Sequence, residues 1–145
     1  MTIHTDSIRV STHGDSDIRD ITPQLAECIR KSGIADGIAH VFCAGSTGAL
    51  TTTEYEPGAI RDLKEYLDRH APPTPPGPPW GEYFHHETWH DNNGHAHLRA
   101  SLLGPDITVP VRGGRPKLGT WQQVVFIDCD TSPRSRELVV TVIGG

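Results

Sequence analysis

Five of the chain's nine histidines fall in one stretch, residues 83–100, which reads YFHHETWHDNNGHAHLRA. Imidazole ordinarily changes charge near neutral pH and is also a common metal ligand. His85, His86 and His90 surround Trp89, and His95 and His97 follow Asn92, Asn93 and Gly94. Residues two apart on a helix point to roughly opposite sides, so His95 and His97 do not share one ion if this stretch is helical. That leaves one histidine from the loop and one from the helix. His86 with His97 is the expected pair, with Glu54 or His95 as a third group. Three nitrogen or oxygen ligands and an open position suit a catalytic zinc-type ion, and the cofactor expected here is a divalent metal, zinc or magnesium. Without a metal, the same histidines would act as general acid or base, with Glu54 orienting them. Solvated loop side chains are the plainest reading and suit His85 and His90 best.

A second chemistry sits beside the first. Gly94 to Ala96 would form a helix N-terminus, with Asn92 or Asn93 as its cap, and free N–H groups there favour anions. Arg99, Arg112, Arg115, Lys117, Arg134 and Arg136 supply cations in the C-terminal half. A small phosphorylated or otherwise anionic ligand fits this set, and a solvated basic face fits it equally. The turn Gly45-Ser46-Thr47-Gly48 offers hydroxyl and N–H donors. It is not a nucleotide-binding P-loop, because it lacks the lysine and is followed by a strand pattern. Glu54 ends an otherwise uncharged β run, where it serves a site or simply a helix N-terminus.

These residues need elements to hold them. SIRVST (7–12) alternates as a strand, and THGDSD reads as loop. DITPQLAECIRKSG is a helix, with Thr22 as its cap, Pro23 in its first turn and Gly33 at its end. Residues 37–43 and 48–54 are β-branched and read as two strands. EPGAIRDLKEYLDRH is a second helix, with Ile60, Leu63 and Leu67 at helical spacing. APPTPPGPPWG has six prolines and is a stiff loop. Residues 91–104 form a third, short helix stopped by Gly104-Pro105. DITVPVRG, LGTWQQVVFIDCD and RELVVTVIGG are strands. In the second of these, Trp121 is of a buried type and either face suits a core. Tight turns between strands adjacent in sequence imply antiparallel pairing. The fold class is therefore α+β, one domain over residues 1–145, with a large mainly antiparallel sheet and two to three helices.

Composition narrows the function classes. A net charge of −5 and a pI near 5.9 disfavour non-specific nucleic-acid binding. No apolar run reaches the roughly 20 residues that a membrane-crossing helix needs. Cys28, Cys43 and Cys129 are odd in number and far apart, so they read as reduced core residues, and the protein is expected in the cytoplasm. An apolar content of 35% is lean and hints at area covered by self-association.

Four segments, GSTGALTTTEYEPGAIRDL, NNGHAHLRASLLGPDITVPV, GRPKLGTWQQVVFIDCD and PRSRELVVTVIGG, occur in an order and spacing that resemble the YjbQ-like family. This family is also called the secondary thiamine-phosphate synthase family. The resemblance covers nearly the whole chain. It implies a sandwich or open barrel and a homotrimer. It also implies a weak activity that joins a pyrimidine methyl diphosphate to a thiazole phosphate and releases pyrophosphate. The alternatives are a metal-dependent hydrolase or phosphatase of a small anion, and a non-catalytic trimer that binds a metabolite or metal. Carried onto this chain, catalysis falls to His97, His86 and Glu54. Substrate binding falls to Ser46, Thr47, Asn93, His95, Gln122, Arg134 and Arg136, and metal binding to His86, His97 and His95. At the turn, many members carry a His-Thr-Thr or His-Thr-Ser run where this chain has Gly45, Ser46 and Thr47. This chain instead has His95 where those members usually carry a small residue: if His95 refills the space, the site survives with its imidazole moved, and if not, that chemistry is absent.

Overall fold

The computed structural model describes residues 1–145. Its strands are β1 (Thr2–Thr12), β2 (Asp17–Asp20), β3 (Gly37–Cys43), β4 (Gly48–Thr53), β5 (Asp106–Arg112), β6 (Arg115–Pro116), β7 (Gln123–Asp128) and β8 (Arg134–Gly144). The helices are α1 (Thr22–Ser32), α2 (Pro57–His70), α3 (His85–Trp89) and α4 (Gly94–Leu103). A large sheet has the order β1-β8-β3-β5-β6 and a small one the order β2-β7-β4. All pairings are antiparallel. The result is a curled α+β half-barrel, and no helix is long and apolar enough to cross a membrane.

The main core lies between the sheets, with α1 filling the open side. Leu25, Cys28 and Ile29 of α1 meet Val41, Val111, Phe126, Leu138 and Val140 there. A smaller core lies on the far face of the small sheet. Ala49, Val125, Ile127 and Ala96 are joined there by Ile60 and Leu63 of α2 and Leu103 of α4. Strand β7 is thus buried on both faces, which explains why its apolar pattern does not alternate.

Local chemistry sets the helix ends. Gly33 closes α1 at φ 69° with its amide on the Arg30 carbonyl. Glu56 caps α2 through its carboxylate, which accepts from Gly58 N at 2.7 Å and Ala59 N at 2.8 Å. Thr22 does not cap α1 as expected. Its hydroxyl accepts the Val124 amide at 2.9 Å instead, tying the helix start to β7.

Three expectations change. The segment 118–122 is a turn rather than the start of a strand: Gln122 N donates to Gly119 O, and Trp121 is 73% exposed. Strand β1 begins at Thr2, where paired residues such as Ile3 and Thr5 face outward and give no core signal. Strand β2 and helix α3 are four and five residues long, too short for periodicity to register.

The chain crosses between the sheets at residues 13–16, 44–47 and 129–133. Register puts these three corners at one end. Thr12 pairs with Arg134, Cys43 with Leu138, and Asp17 and Gly48 both with Asp128. Gly48 must be glycine for packing: a Cβ there would lie 2.5 Å from Cys43 Sγ and 3.0 Å from the Phe126 ring. Gly48→Ala is therefore expected to destabilise the fold by about 1–3 kcal/mol through overpacking, read as a lower urea midpoint.

Candidate functional site

The end that carries the three corners also carries most of the polar side chains the fold encloses. Asp128, at the end of β7, is fully buried. It accepts from Arg136 Nε and Nη2, each at 2.9 Å, and from the Thr12 hydroxyl. Asp130 lies in the β7–β8 corner and accepts from Thr47 Oγ1 at 3.1 Å, Arg134 Nη2 at 3.2 Å and, more loosely, Asn93 Nδ2 at 3.5 Å. Arg136 Nη2 also reaches Thr47 Oγ1 at 2.7 Å. Burial alone would raise the Asp130 pKa. The Ser132 amide, the Thr47 hydroxyl and Arg134 outweigh it and hold the carboxyl below its usual range.

Helix α4 begins beside this network. His97 lies in its first turns, and the ring against it is His85, with centroids 4.3 Å apart and planes 32° from parallel. The His86 expected beside His97 packs edge-on against His90 instead. The reason is α3: this short helix turns neighbouring side chains to different sides, so only one of two adjacent histidines can face α4. Behind His85, Asp91 Oδ1 lies 3.5 Å from Nδ1, close enough for charge attraction and too far for a good hydrogen bond. Burial and then the neighbouring His85 depress the His97 pKa, and Asp91 and Asp130 partly oppose them.

His95 points elsewhere. It is 1% exposed, neither ring nitrogen has a hydrogen-bond partner, and its neighbours are the Tyr83 ring and Arg99. It does not refill the space at the Gly45 turn. Arg99 is likewise a structural cation here. Its buried guanidinium bonds Ala71 O, Ser16 Oγ and Asp68, fastening α4 to the start of the Pro-rich loop.

Glu54 and Gln122 lie at the opposite end of β4. The six residues of β4 separate them from Thr47 by about 20 Å. Glu54 is exposed, and Gln122 bonds Thr52 Oγ1 and the Gly119 amide. Within one chain, Glu54 therefore does not orient His97.

The expected metal set fares similarly. His86, His95 and His97 occupy three different surroundings, and no three His, Cys, Asp or Glu side chains are grouped to hold an ion. Ligand lone pairs lie in the imidazole plane, so the near-parallel rings of His85 and His97 do not aim at one point. These residues, within one chain, do not fit the expected ion.

Asp128, Asp130, Asp91 and Thr12 belong to this end of the structure but are not among the residues expected from the sequence. Arg134 and Arg136 follow Asp128 and Asp130 closely in sequence, but the other partners, Thr12, Thr47 and Asn93, come from distant segments and leave no local pattern.

A small antiparallel half-barrel whose inter-sheet corners enclose an arginine–carboxylate network beside a histidine pair is the class of protein these features define. The chain belongs to the UPF0047 YjbQ-like family, whose model matches residues 6–145. A UPF0047 protein of Methanothermobacter thermautotrophicus is 35% identical over 99% of this chain and 94% of its own length. Another from Archaeoglobus fulgidus is 35% identical over 88% and 91%. The crystal structure of a Sulfolobus solfataricus YbjQ-like protein of unknown function superposes with TM-score 0.88 at 33% identity, covering 99% of both chains. A hypothetical protein of Aeropyrum pernix gives 0.85 at 32%, covering 98% of this chain and 99% of its own.

Two measurements follow from the imidazoles. In an NMR titration, His97 is expected to protonate below the ordinary value of about 6.5, and His85→Ala is expected to move it upward by removing a like charge and uncovering the ring. His95 and His97 both have folded pKa values below the unfolded one, so the unfolded chain binds more protons just below about pH 6.5. Stability contributed by the neutral rings is therefore present above that pH and is lost as pH falls through it. His95→Leu is expected to weaken this acid dependence without lowering stability at pH 8, because no hydrogen bond is lost.

Proposed function

We propose that the three-corner end binds a small phosphorylated molecule, and that the reaction is the one the resemblance implies. A pyrimidine methyl diphosphate would be coupled to a thiazole phosphate with release of pyrophosphate. In that reaction the thiazole nitrogen's lone pair forms a carbon–nitrogen bond while the carbon–oxygen bond to the diphosphate breaks. The bonding pair leaves with pyrophosphate, and the nitrogen becomes positive. No proton must be removed for bond formation, so the demand on the protein is to neutralise charge on the leaving group and to align the two reactants. The observation that carries this reading is the convergence of Arg134, Arg136 and His97 around Asp130. Arginine matches phosphate oxygens well, and a neutral His97 supplies a ring N–H to a departing oxygen.

A neutral His97 also suits a general base that activates water, which favours a hydrolase of the same substrate class as the second reading. The two differ in product. Incubation with both thiamine precursors is expected to yield coupled product and pyrophosphate. His97→Ala is expected to lower turnover about 100-fold, with Arg112→Ala unchanged. Orthophosphate without coupled product selects the hydrolase, and turnover untouched in His85→Ala/His97→Ala rejects the site for both.

The resemblance implies a homotrimer, and the outer face of the large sheet supports self-association. Register aligns Ile3, Ile143, Ile38 and Pro110 in one row across β1, β8, β3 and β5, with Val139 beside Phe42 four residues along. Ile3, Ile38, Phe42 and Val139 are exposed. A continuous apolar row of this kind marks an interaction surface more often than scattered single residues do. We assign it to the trimer contact. Light scattering is expected to give a trimer for the native chain and a monomer for Ile38→Glu/Phe42→Glu. All three cysteines are unpaired and buried, as suits a reducing compartment, and we read the protein as cytoplasmic.

A further inference from the structure

We infer that the substrate's phosphate group docks in a cavity at the β3–β4 corner, walled by the C-terminal half of α4 and backed through Gly45 by Arg136. This rests on the reading above and locates its substrate class within the site. The cavity is about 360 Å³ and is lined by Gly45, Ser46, Gly48, Ala100, Ser101 and Pro105. Its lining carries no charged side chain, yet a cation lies directly behind it. A Cβ on Gly45 would stand 3.1 Å from Arg136 Nη1. The Nε and Nη2 of that guanidinium are committed to Asp128 and Thr47. Nη1 has no hydrogen-bond partner and is not sealed from solvent. The arginine is thus fixed along one edge, and its unused edge lies against the one residue in the corner that has no side chain.

Donors of a second kind flank it. The amides of Ser46 and Thr47 donate to no acceptor within the protein, and neither does the Ser46 hydroxyl. Two consecutive free amides beside one edge of a guanidinium suit an oxyanion with acceptor atoms in several directions, which is a phosphate rather than a flat carboxylate. The opposite wall connects to the histidine pair. Ser101 Oγ donates to the His97 carbonyl at 2.7 Å, and the two residues are about one helical turn, ~6 Å, apart on the same face of α4. A phosphate held in the corner therefore leaves the rest of its molecule pointing along α4 toward His97. Asp128 already balances the charge of Arg136. The pull on the ligand is then mainly hydrogen bonding, and the affinity is expected to depend only modestly on salt.

The test uses the full native chain with inorganic phosphate and pyrophosphate as probes, followed by calorimetry and by the amide NMR signals of Ser46, Thr47 and Gly48. Saturable binding with shifts at those amides is expected. Gly45→Asp, at an exposed position with no left-handed backbone requirement, places a carboxylate on Nη1 and is expected to weaken binding about tenfold or more. Ser101→Leu, which fills the cavity from the other wall, should weaken it too and guards against a fold defect in the first variant. Arg112→Ala should bind as the native chain does. Native affinity in both Gly45→Asp and Ser101→Leu, or saturating phosphate that leaves the three amides unshifted, overturns the inference. Phosphate binding at the corner without any turnover leaves the inference standing and removes the coupling reaction. Turnover with unshifted corner amides does the reverse.

Discussion

The Asp128–Arg136 pair is the interaction on which the rest of this end of the molecule depends. A carboxylate with no solvent exposure is costly unless its charge and lone pairs are matched. Here the match is drawn from the separate corners where the chain changes sheets: Thr12 from the first, Thr47 through Arg136 from the second, and Arg136 itself from the strand after the third. Removing one partner leaves a buried charge. Such breaks typically cost about 3–5 kcal/mol, a large part of a small domain's whole stability. The backbone reinforces the same joint, since Asp15 N donates to Asp130 O and Cys129 N to Thr47 O. The sheets are held at a fixed opening at this end, and α4 is seated with its N-terminus against the joint.

That joint also explains how the chemistry is divided. Side chains near the corners face a common space because antiparallel register brings strand ends together, however far apart they are in sequence. Side chains at the far ends of β4 and β7 cannot join them. Glu54, Tyr55, Trp121 and Gln122 form their own polar and aromatic edge, with Tyr55 N on Gln123 Oε1 and Tyr55 OH on Ile18 O. Trp121 and Tyr55 remain substantially exposed there. A single chain thus presents two chemically equipped ends joined by an apolar sheet face. Any function that needs both ends at once must draw the second from another copy.

The fold was legible in the sequence wherever a local rule decided it. Gly33 and Pro23 bounded α1, Gly104 stopped α4, and β-branched runs marked β3, β4, β7 and β8. For β7 the continuous apolar run reports that both sides are covered, but not what covers each of them. Trp121 misled for a related reason: its type says core, but the turn at Gly119 puts it outside. The site was legible in its composition and not in its pairing. Histidine density marked the segment, yet His85 and His86 are adjacent, and only the short helix α3 decides which of them meets His97. Asp128 and Asp130 looked like ordinary strand-end carboxylates because their partners come from residues 12, 47, 93, 134 and 136. Contacts that distant leave no local periodicity to read.

In the proposed site, stability and binding would share the Arg136 side chain, and the sharing would have a chemical advantage. Arg136 is oriented by the fold before any ligand arrives, so its free edge need not reorganise as charge develops on a bound group. A flexible surface lysine would have to be ordered each time. The same economy means that deleting Arg136 confounds folding with function. The residues that separate the two are those that touch the guanidinium's free edge or the imidazole pair without holding the corners. Gly45 and His97 are such residues, and neither supplies a side-chain hydrogen bond to the Asp128 network. On the proposed reading, the absence of a side chain at Gly45 matters as much as the presence of one at His97: it leaves the one unused edge of a largely buried cation uncovered.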